Sequence, residues 1–263
     1  MSRVNKDYPV LLTLKKMTEP TILLTALITL TGGLFRGAAG FGGAMVMTLP
    51  LSLLYPPQQA IVMVLILELV GPALIFRRSW QTVSQENGLI KAFATACLSC
   101  LLFLPLGIAL QDILSQRVVT ISMAATVLVC SLALLLPIKR QVSVSHRGVA
   151  FAGGLSGAML GLTGIGGPPM VLYLLASQLD QPRVSAFLML YVSLISLLMI
   201  LASAAYFNIS LFVIIATFGL IPVFFVGTMI SSRYVHRLNP KIVRTLSLLL
   251  LCIANGAFLL SQI

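Results

Sequence analysis

The stretch Gly32-Gly33-Leu34-Phe35-Arg36-Gly37-Ala38-Ala39-Gly40-Phe41-Gly42-Gly43 decides the fold, because its glycine pattern occurs twice. At 153–169 the chain reads G-G-L-S-G-A-M-L-G-L-T-G-I-G-G-P-P. Gly33, Gly37, Gly40, Gly42 and Gly43 follow the spacing G-x3-G-x2-G-x-G-G. Gly157, Gly161, Gly164, Gly166 and Gly167 repeat it 124 residues later. Only 20 of 263 residues are glycine, so five in shared register do not follow from composition. The same shift lays Arg117-Val118-Val119 on Lys241-Ile242-Val243, each opening the last apolar run of its half. Self-similarity at a fixed offset marks a duplicated unit, which predicts halves at 1–140 and 141–263. Close packing of helices accounts for glycine in general, but the sequence offers no reason for it to impose a common register.

Each glycine cluster predicts a break in a helix. Glycine costs about 1 kcal/mol against alanine inside a helix, and Gly-x-Gly-Gly permits positive φ and a sharp reversal. Gly167 is followed by Pro168-Pro169, and proline suits a first helical turn while disrupting an interior one. The expectation is a helix ending near Gly40 and near Gly164, with new helices at 43–55 and 168–179. At 1.5 Å per residue these are about 18–20 Å long, short of a bilayer core of about 30 Å.

The surroundings of these breaks are lipid. The chain is 59% hydrophobic and 9% charged, with a mean hydropathy of +1.05. Soluble domains carry roughly 25% charged residues, and one aqueous core could not hide so much apolar surface. Apolar windows fall at 21–55, 58–76, 88–110, 118–137, 148–179, 183–207, 211–231 and 242–263. Over such lengths in lipid, helices satisfy their own backbone. The fold class is therefore an all-α integral membrane protein, about four hydrophobic segments in each half. Non-helical backbone at membrane depth must be buried in protein or line a cavity. Matched broken helices in two halves point to a transporter's binding site.

Charge sets the orientation. If 21–55 and 148–179 are re-entrant hairpins, each followed by three full spans, the two halves are inverted. One face then collects Arg77, Arg78, Lys91, Lys139, Arg140, Arg147, Arg183, Arg233, Arg237, Lys241 and Arg244. The other collects Arg3, Lys6, Lys15, Lys16 and Arg117, eleven cations against five. That asymmetry obeys the positive-inside rule and makes the net charge of +11 a topology signal, not a nucleic-acid footprint. Were both interrupted segments full crossings, the 233–241 cluster would face outward. The limb at 21–40 is nevertheless long enough to cross unaided, and Lys15 and Lys16 fit the other side better.

Two short helices meeting from opposite faces would present their N-terminal N–H groups to one another and form an anion site. Its candidate residues are Gly40, Phe41, Gly42 and Gly43 with Thr163, Gly164, Ile165, Gly166 and Gly167. Arg36 and Glu68 are the two ionisable residues well inside apolar windows. Such charges are expensive in lipid and need partners. Arg36, whose counterpart is Leu160, fits an oxyanion bidentately or a structural pair with Glu68. Glu68 is also a candidate proton acceptor.

Weaker patterns take plain readings. Gly154-x-Ser156-Gly157 matches an intramembrane serine-protease signature, but its nucleophile needs a base, and His146 and His236 lie in basic loops. The chain is thus expected not to be an enzyme. Cys97, Cys100, Cys130 and Cys252 sit in apolar runs and read as packing thiols, with no metal or cofactor implied. Pro72, Pro105 and Pro222 mark kinks.

The paired openings G-G-L-F-R-G-A-A-G-F-G-G and G-G-L-S-G-A-M-L-G-L-T-G-I-G-G-P-P, the size and the two halves resemble the TauE/SafE-type family of sulfite and organosulfonate exporters. That group is also described as the toluene-sulfonate uptake permease family. The resemblance covers essentially the whole chain. It implies a secondary carrier of the bacterial cytoplasmic membrane for small sulfur-containing anions such as sulfite or sulfoacetate, commonly proton-coupled. Members differ in substrate and direction, and Arg36 has no matched counterpart in the family's pattern. An anion channel sharing the helix-end site is the alternative. The expected partners are the small anion and the bilayer, with no nucleic acid, and a homo-oligomer stays open.

Overall fold

Glycine, proline and polar residues divide the chain into helices close to where the sequence places the divisions. The computed structural model describes residues 19–39, 42–136, 142–207, 209–235 and 240–262. Their helices are α1 (Glu19–Ala39), α2 (Gly43–Leu54), α3 (Pro57–Ser84), α4 (Asn87–Ile113), α5 (Gln116–Leu135), α6 (His146–Thr163), α7 (Gly167–Ala176), α8 (Gln181–Tyr206), α9 (Leu211–Val235) and α10 (Pro240–Leu260). Pro57 and Pro182 stand in the first turns of α3 and α8, where a missing N–H costs nothing. Pro105 and Pro222 lie inside α4 and α9; the side chain of Pro72 is outside the described residues.

Among the described residues five segments are long and apolar enough to cross a membrane: Pro20–Gly37, Asn87–Ile113, Gln116–Leu135, Gln181–Tyr206 and Val213–Ser231. Large apolar side chains such as Leu98, Leu102, Phe151 and Ile253 point outward, each 70–75% exposed. A surface of that kind is stable against acyl chains, not water. The protein is a multi-pass helical membrane protein.

Helix starts recur at one spacing. Gly43 and Gly167, Pro57 and Gln181, Asn87 and Leu211, and Gln116 and Pro240 each open paired helices 124 positions apart. Packing recurs with them. α1 lies along α9 as α6 lies along α4, while α3 packs on its own counterpart α8 and α5 on α10.

The first two glycines of each cluster create the α1–α9 and α4–α6 crossings. A Cβ on Gly33 would collide with the Phe224 carbonyl, and one on Gly157 with the Cys100 carbonyl. Gly37 and Gly161 stand in the same way against the Thr228 and Leu104 carbonyls. Phe224 is the counterpart of Cys100, and Thr228 that of Leu104. This corrects the view that close packing leaves the shared register unexplained. One close helix contact, made twice between equivalent residues, fixes two of the five glycines in each cluster.

Polar contacts at the helix ends set relative directions. Glu86, just past α3, pairs with Arg183 in the first turn of α8. Arg117 at the start of α5 donates to the carbonyl of Gln262, past the end of α10, at 3.2 Å. Each broken opening also folds back on itself. The Thr25 and Tyr55 hydroxyls meet at 2.9 Å, joining the first turns of α1 to the end of α2. In the second opening the Ser145 N–H donates to the Tyr173 hydroxyl at 3.0 Å. Val142 bonds both Ala176 and Gln178 through the backbone, each at 3.2 Å, so α7 returns to where α6 begins.

Candidate functional site

Both breaks are made by glycine, but with different backbones. In the first, Gly42 caps α2 at φ 91°, ψ 2°, a left-handed conformation that suits glycine. Gly40 and Phe41 lie outside the described residues. In the second, the left-handed residue is Gly164, at φ 74°. It ends α6, its N–H donating to the Leu160 carbonyl at 2.8 Å, as a C-terminal glycine cap does. Gly166, the counterpart of Gly42, has φ −104°, and its carbonyl accepts a hydrogen bond from the Ser156 hydroxyl. Ser156, the residue of the protease-like signature, is thus engaged with backbone. His146 faces Thr95 at the helix end, 3.3 Å away, and His236 is outside the described residues.

The two breaks meet. Met45 in the first turn of α2 and Ile165 in the second break pack into one buried cluster with Val127 and Cys130 of α5 and Leu251 of α10. Gly164 rests on the side chain of Ile61 in α3, its Cβ position 2.7 Å from the Ile61 Cγ1. Thr163 is fully buried, and its hydroxyl donates to the Met159 carbonyl at 2.8 Å, within its own helix.

The charged residues gather at the first break. Arg36, in the last turn of α1, is 6% exposed and Glu68 of α3 is 3% exposed. The Nη1 of Arg36 is ion-paired with the Glu68 Oε2. The Glu68 Oε1 has no hydrogen-bond partner among the described residues, yet it lies where a Cβ on Gly43 would stand. The carboxylate therefore sits against the first turn of α2, where the helix dipole favours negative charge. Among the described residues the Nη2 of Arg36 reaches only the Met189 sulfur of α8, at 3.9 Å. A guanidinium has five N–H donors and thioether sulfur is a weak acceptor, so this buried pair is far from saturated on either side.

The second break repeats the geometry without the charge. Gly167 faces Val192, its Cβ position 3.8 Å from the Val192 Cγ2, as Gly43 faces Glu68. Leu160 stands against Gly166 in the register that Arg36 occupies in the first half. Pro168 and Pro169 also remove two N–H groups from the first turn of α7. The two helix ends expected to cooperate symmetrically are thus unequal, one polar and ionic, the other apolar.

Sequence reasoning brought Arg36 and Glu68 forward separately and left their pairing open; the structure joins them. It missed Met189, whose contact spans 153 positions and leaves no local trace. It also missed a polar group beside the second break, where the Tyr191 hydroxyl lies near Ser156 and Cys100 without hydrogen-bond geometry to any described atom. The signal that finds such differences is the 124-residue alignment itself: Glu68 falls on Val192, and Tyr191 on Leu67. Cys97 and Cys100 are free thiols, and no group of three His, Cys, Asp or Glu converges among the described residues.

The class is then defined: a multi-pass α-helical membrane protein in which two broken openings pack into one buried cluster, the first of them carrying a buried ion pair. The family model of the sulfite exporter TauE/SafE family matches residues 24–258. The chain belongs to that family of membrane transporters. No match was found among curated proteins or among solved structures.

Proposed function

We propose that this protein is a secondary carrier of small sulfur-containing anions, such as sulfite, sulfoacetate or other organosulfonates, across a bacterial cytoplasmic membrane. The anion binds where the two breaks meet, with Arg36 and the head of α2 as its principal donors and 163–167 closing the other side. The observation that carries this reading is the under-used Arg36 guanidinium, buried beside a helix N-terminus at a break in the membrane-spanning fold. Polar capacity of that kind matches an oxyanion and has little structural purpose.

The transport cycle is alternating access between two inverted halves, 1–140 and 141–263, with Glu68 as the proton carrier. Three observations support the inversion. α3 ends where its counterpart α8 begins, α5 begins where α10 ends, and each opening doubles back. Counterparts running in opposite directions relate the halves by an axis across the helices, the arrangement of inverted-repeat carriers.

The test is thermal stabilisation of the purified protein by sulfite, sulfate, thiosulfate and short sulfonates, since a ligand that binds the folded state raises its melting temperature. Flux in proteoliposomes should then saturate for the stabilising anion. Flux that stays linear to high concentration would indicate a channel, and no stabilisation by any sulfur anion would remove the substrate class.

A further inference from the structure

The asymmetry of the two breaks points to a resident competitor. We infer that Glu68 is a built-in anion that the substrate displaces from Arg36, so that each anion bound carries one proton onto Glu68. This rests on the carrier reading above and specifies how its site selects and couples.

Among the described residues the Arg36–Glu68 pair is monodentate, with acceptor capacity left on the Glu68 Oε1 and the Nη2 of Arg36 meeting only the Met189 sulfur. An incoming oxyanion can offer Arg36 the two-pronged contact that Glu68 does not make, and such bidentate pairs are the stronger. Glu68 then loses its cation while still buried. Arg36 is its one charged partner among the described residues. α2 has no titratable side chain; among the described side chains the titratable groups on the helices packed against α3 are Arg183, Tyr191 and Tyr206 on α8, Arg233 on α9, Lys91, Cys97, Cys100 and Asp112 on α4, and Arg117 and Cys130 on α5. None of the described ion pairs joins any of these to Glu68. A lone carboxylate in a low-dielectric interior is too costly to persist, so its oxygen takes a proton from the aqueous side to which the site is open.

Charge accounts for the stoichiometry. Before binding, the site holds one cation and one carboxylate and is neutral. After binding, it holds the cation, a monoanion and a neutral carboxylic acid, and it is neutral again. A dianion would leave one uncompensated negative charge, so the same device favours monoanions such as a sulfonate or hydrogen sulfite over sulfate. The second break, with Leu160 and Val192 in these places, has no such exchange. The chain therefore binds one anion at a time.

The experiment measures anion binding and proton uptake together on the full-length purified protein. Methanesulfonate, which holds no titratable proton, and sulfite are the probes. The wild type should take up about one proton per methanesulfonate bound, its Kd weakening tenfold per pH unit over the range where that proton is absorbed. Glu68→Gln should bind methanesulfonate at least as tightly, with no proton uptake and a flat pH profile. Because that variant leaves Arg36 buried with only an amide, a second one guards against misfolding. Arg36→Leu with Glu68→Val installs the residues of the second break and should fold, as judged by a single monodisperse peak, yet bind neither probe. Binding by wild type without proton uptake, or unchanged uptake in Glu68→Gln, would overturn the exchange while leaving the carrier reading intact. Retained binding in the folded double variant would remove the site from Arg36. Failure of the wild type to bind either probe would overturn the carrier reading and the exchange with it.

Discussion

Gly157 and Cys100 touch backbone to backbone: the α-carbon of the glycine lies so near the cysteine carbonyl that no Cβ fits between them. Gly33 stands in the same relation to Phe224, so one contact is made twice and locks α4 to α6 and α9 to α1. Gly157→Ala or Gly33→Ala must push two backbones apart, and overpacking of this kind costs about 1–3 kcal/mol. Each should lower the melting temperature of the detergent-solubilised protein and its yield in the membrane. Gly88→Ala, where a Cβ would meet nothing within 4 Å, is the control and should leave both unchanged.

The Arg36–Glu68 pair gives a prediction that is non-additive. Removing one partner of a buried ion pair strands the other charge and costs about 3–5 kcal/mol, whereas an apolar replacement of both is often neutral. Glu68→Ala should therefore destabilise strongly. Arg36→Leu combined with Glu68→Val should restore most of the loss, because Leu160 and Val192 already pack in that geometry at the other break. Thermal unfolding of the three proteins in one detergent decides it. Additive destabilisation would mean the pair does not act as a unit.

The fold was legible because its signals are local and repeated. The glycine register, the Pro168-Pro169 start of α7 and the apolar windows required no knowledge of distant contacts, and the observed helix starts fall on them to within a residue or two. The site was legible only in part. Arg36 and Glu68 stood out as charges in lipid, but 32 positions of separation say nothing about whether they meet. Met189 contacts Arg36 through the packing of α8, and that packing is a tertiary fact. The inequality of the breaks was present in the sequence as Leu160 and Val192, yet shared glycines suggested symmetry more strongly than those two residues suggested its loss.

Gly42 and Gly166 share a register position but need glycine for different reasons, which predicts a crossed pattern of tolerance. Gly42 has φ 91°, and among the described residues beyond its chain neighbours no heavy atom lies closer than 4.0 Å to its Cβ position. The obstacle there is the left-handed backbone, which costs an alanine about 1–2 kcal/mol and which asparagine tolerates better. Gly166 has an ordinary φ of −104°, but a Cβ would lie 2.8 Å from the Leu160 Cβ and 2.9 Å from the Ser156 carbonyl. Sulfite flux per inserted protein should therefore fall less in Gly42→Asn than in Gly42→Ala, and more in Gly166→Asn than in Gly166→Ala. Leucine at either position should abolish flux while insertion persists. Full flux in both leucine variants would separate transport from the breaks.

The proposed inversion of the two halves makes a prediction about sidedness that single cysteines can test. In the hairpin arrangement each opening enters and leaves on one side, so three full spans separate the hairpins. Gln85 after α3 and Gln178 after α7 then share the cytoplasmic face with the cation-rich loops, while Ser115 before α5 and Ser210 before α9 lie outside. If each broken opening crossed the bilayer once, the pairs would be exchanged. Gln85 would share a side with Ser210, and Ser115 with Gln178. Gln85, Ser115 and Gln178 are exposed and Ser210 is half-buried, so a membrane-impermeant maleimide can reach each position from the side it faces. The native Cys100 and Cys130 are buried and contribute little background. Labelling in intact cells should mark Ser115→Cys and Ser210→Cys and spare Gln85→Cys and Gln178→Cys until the membrane is opened. Joint labelling of Gln85→Cys and Ser210→Cys would instead require full crossings. The 233–241 cations would then be outside, against the charge asymmetry that orients the rest of the chain.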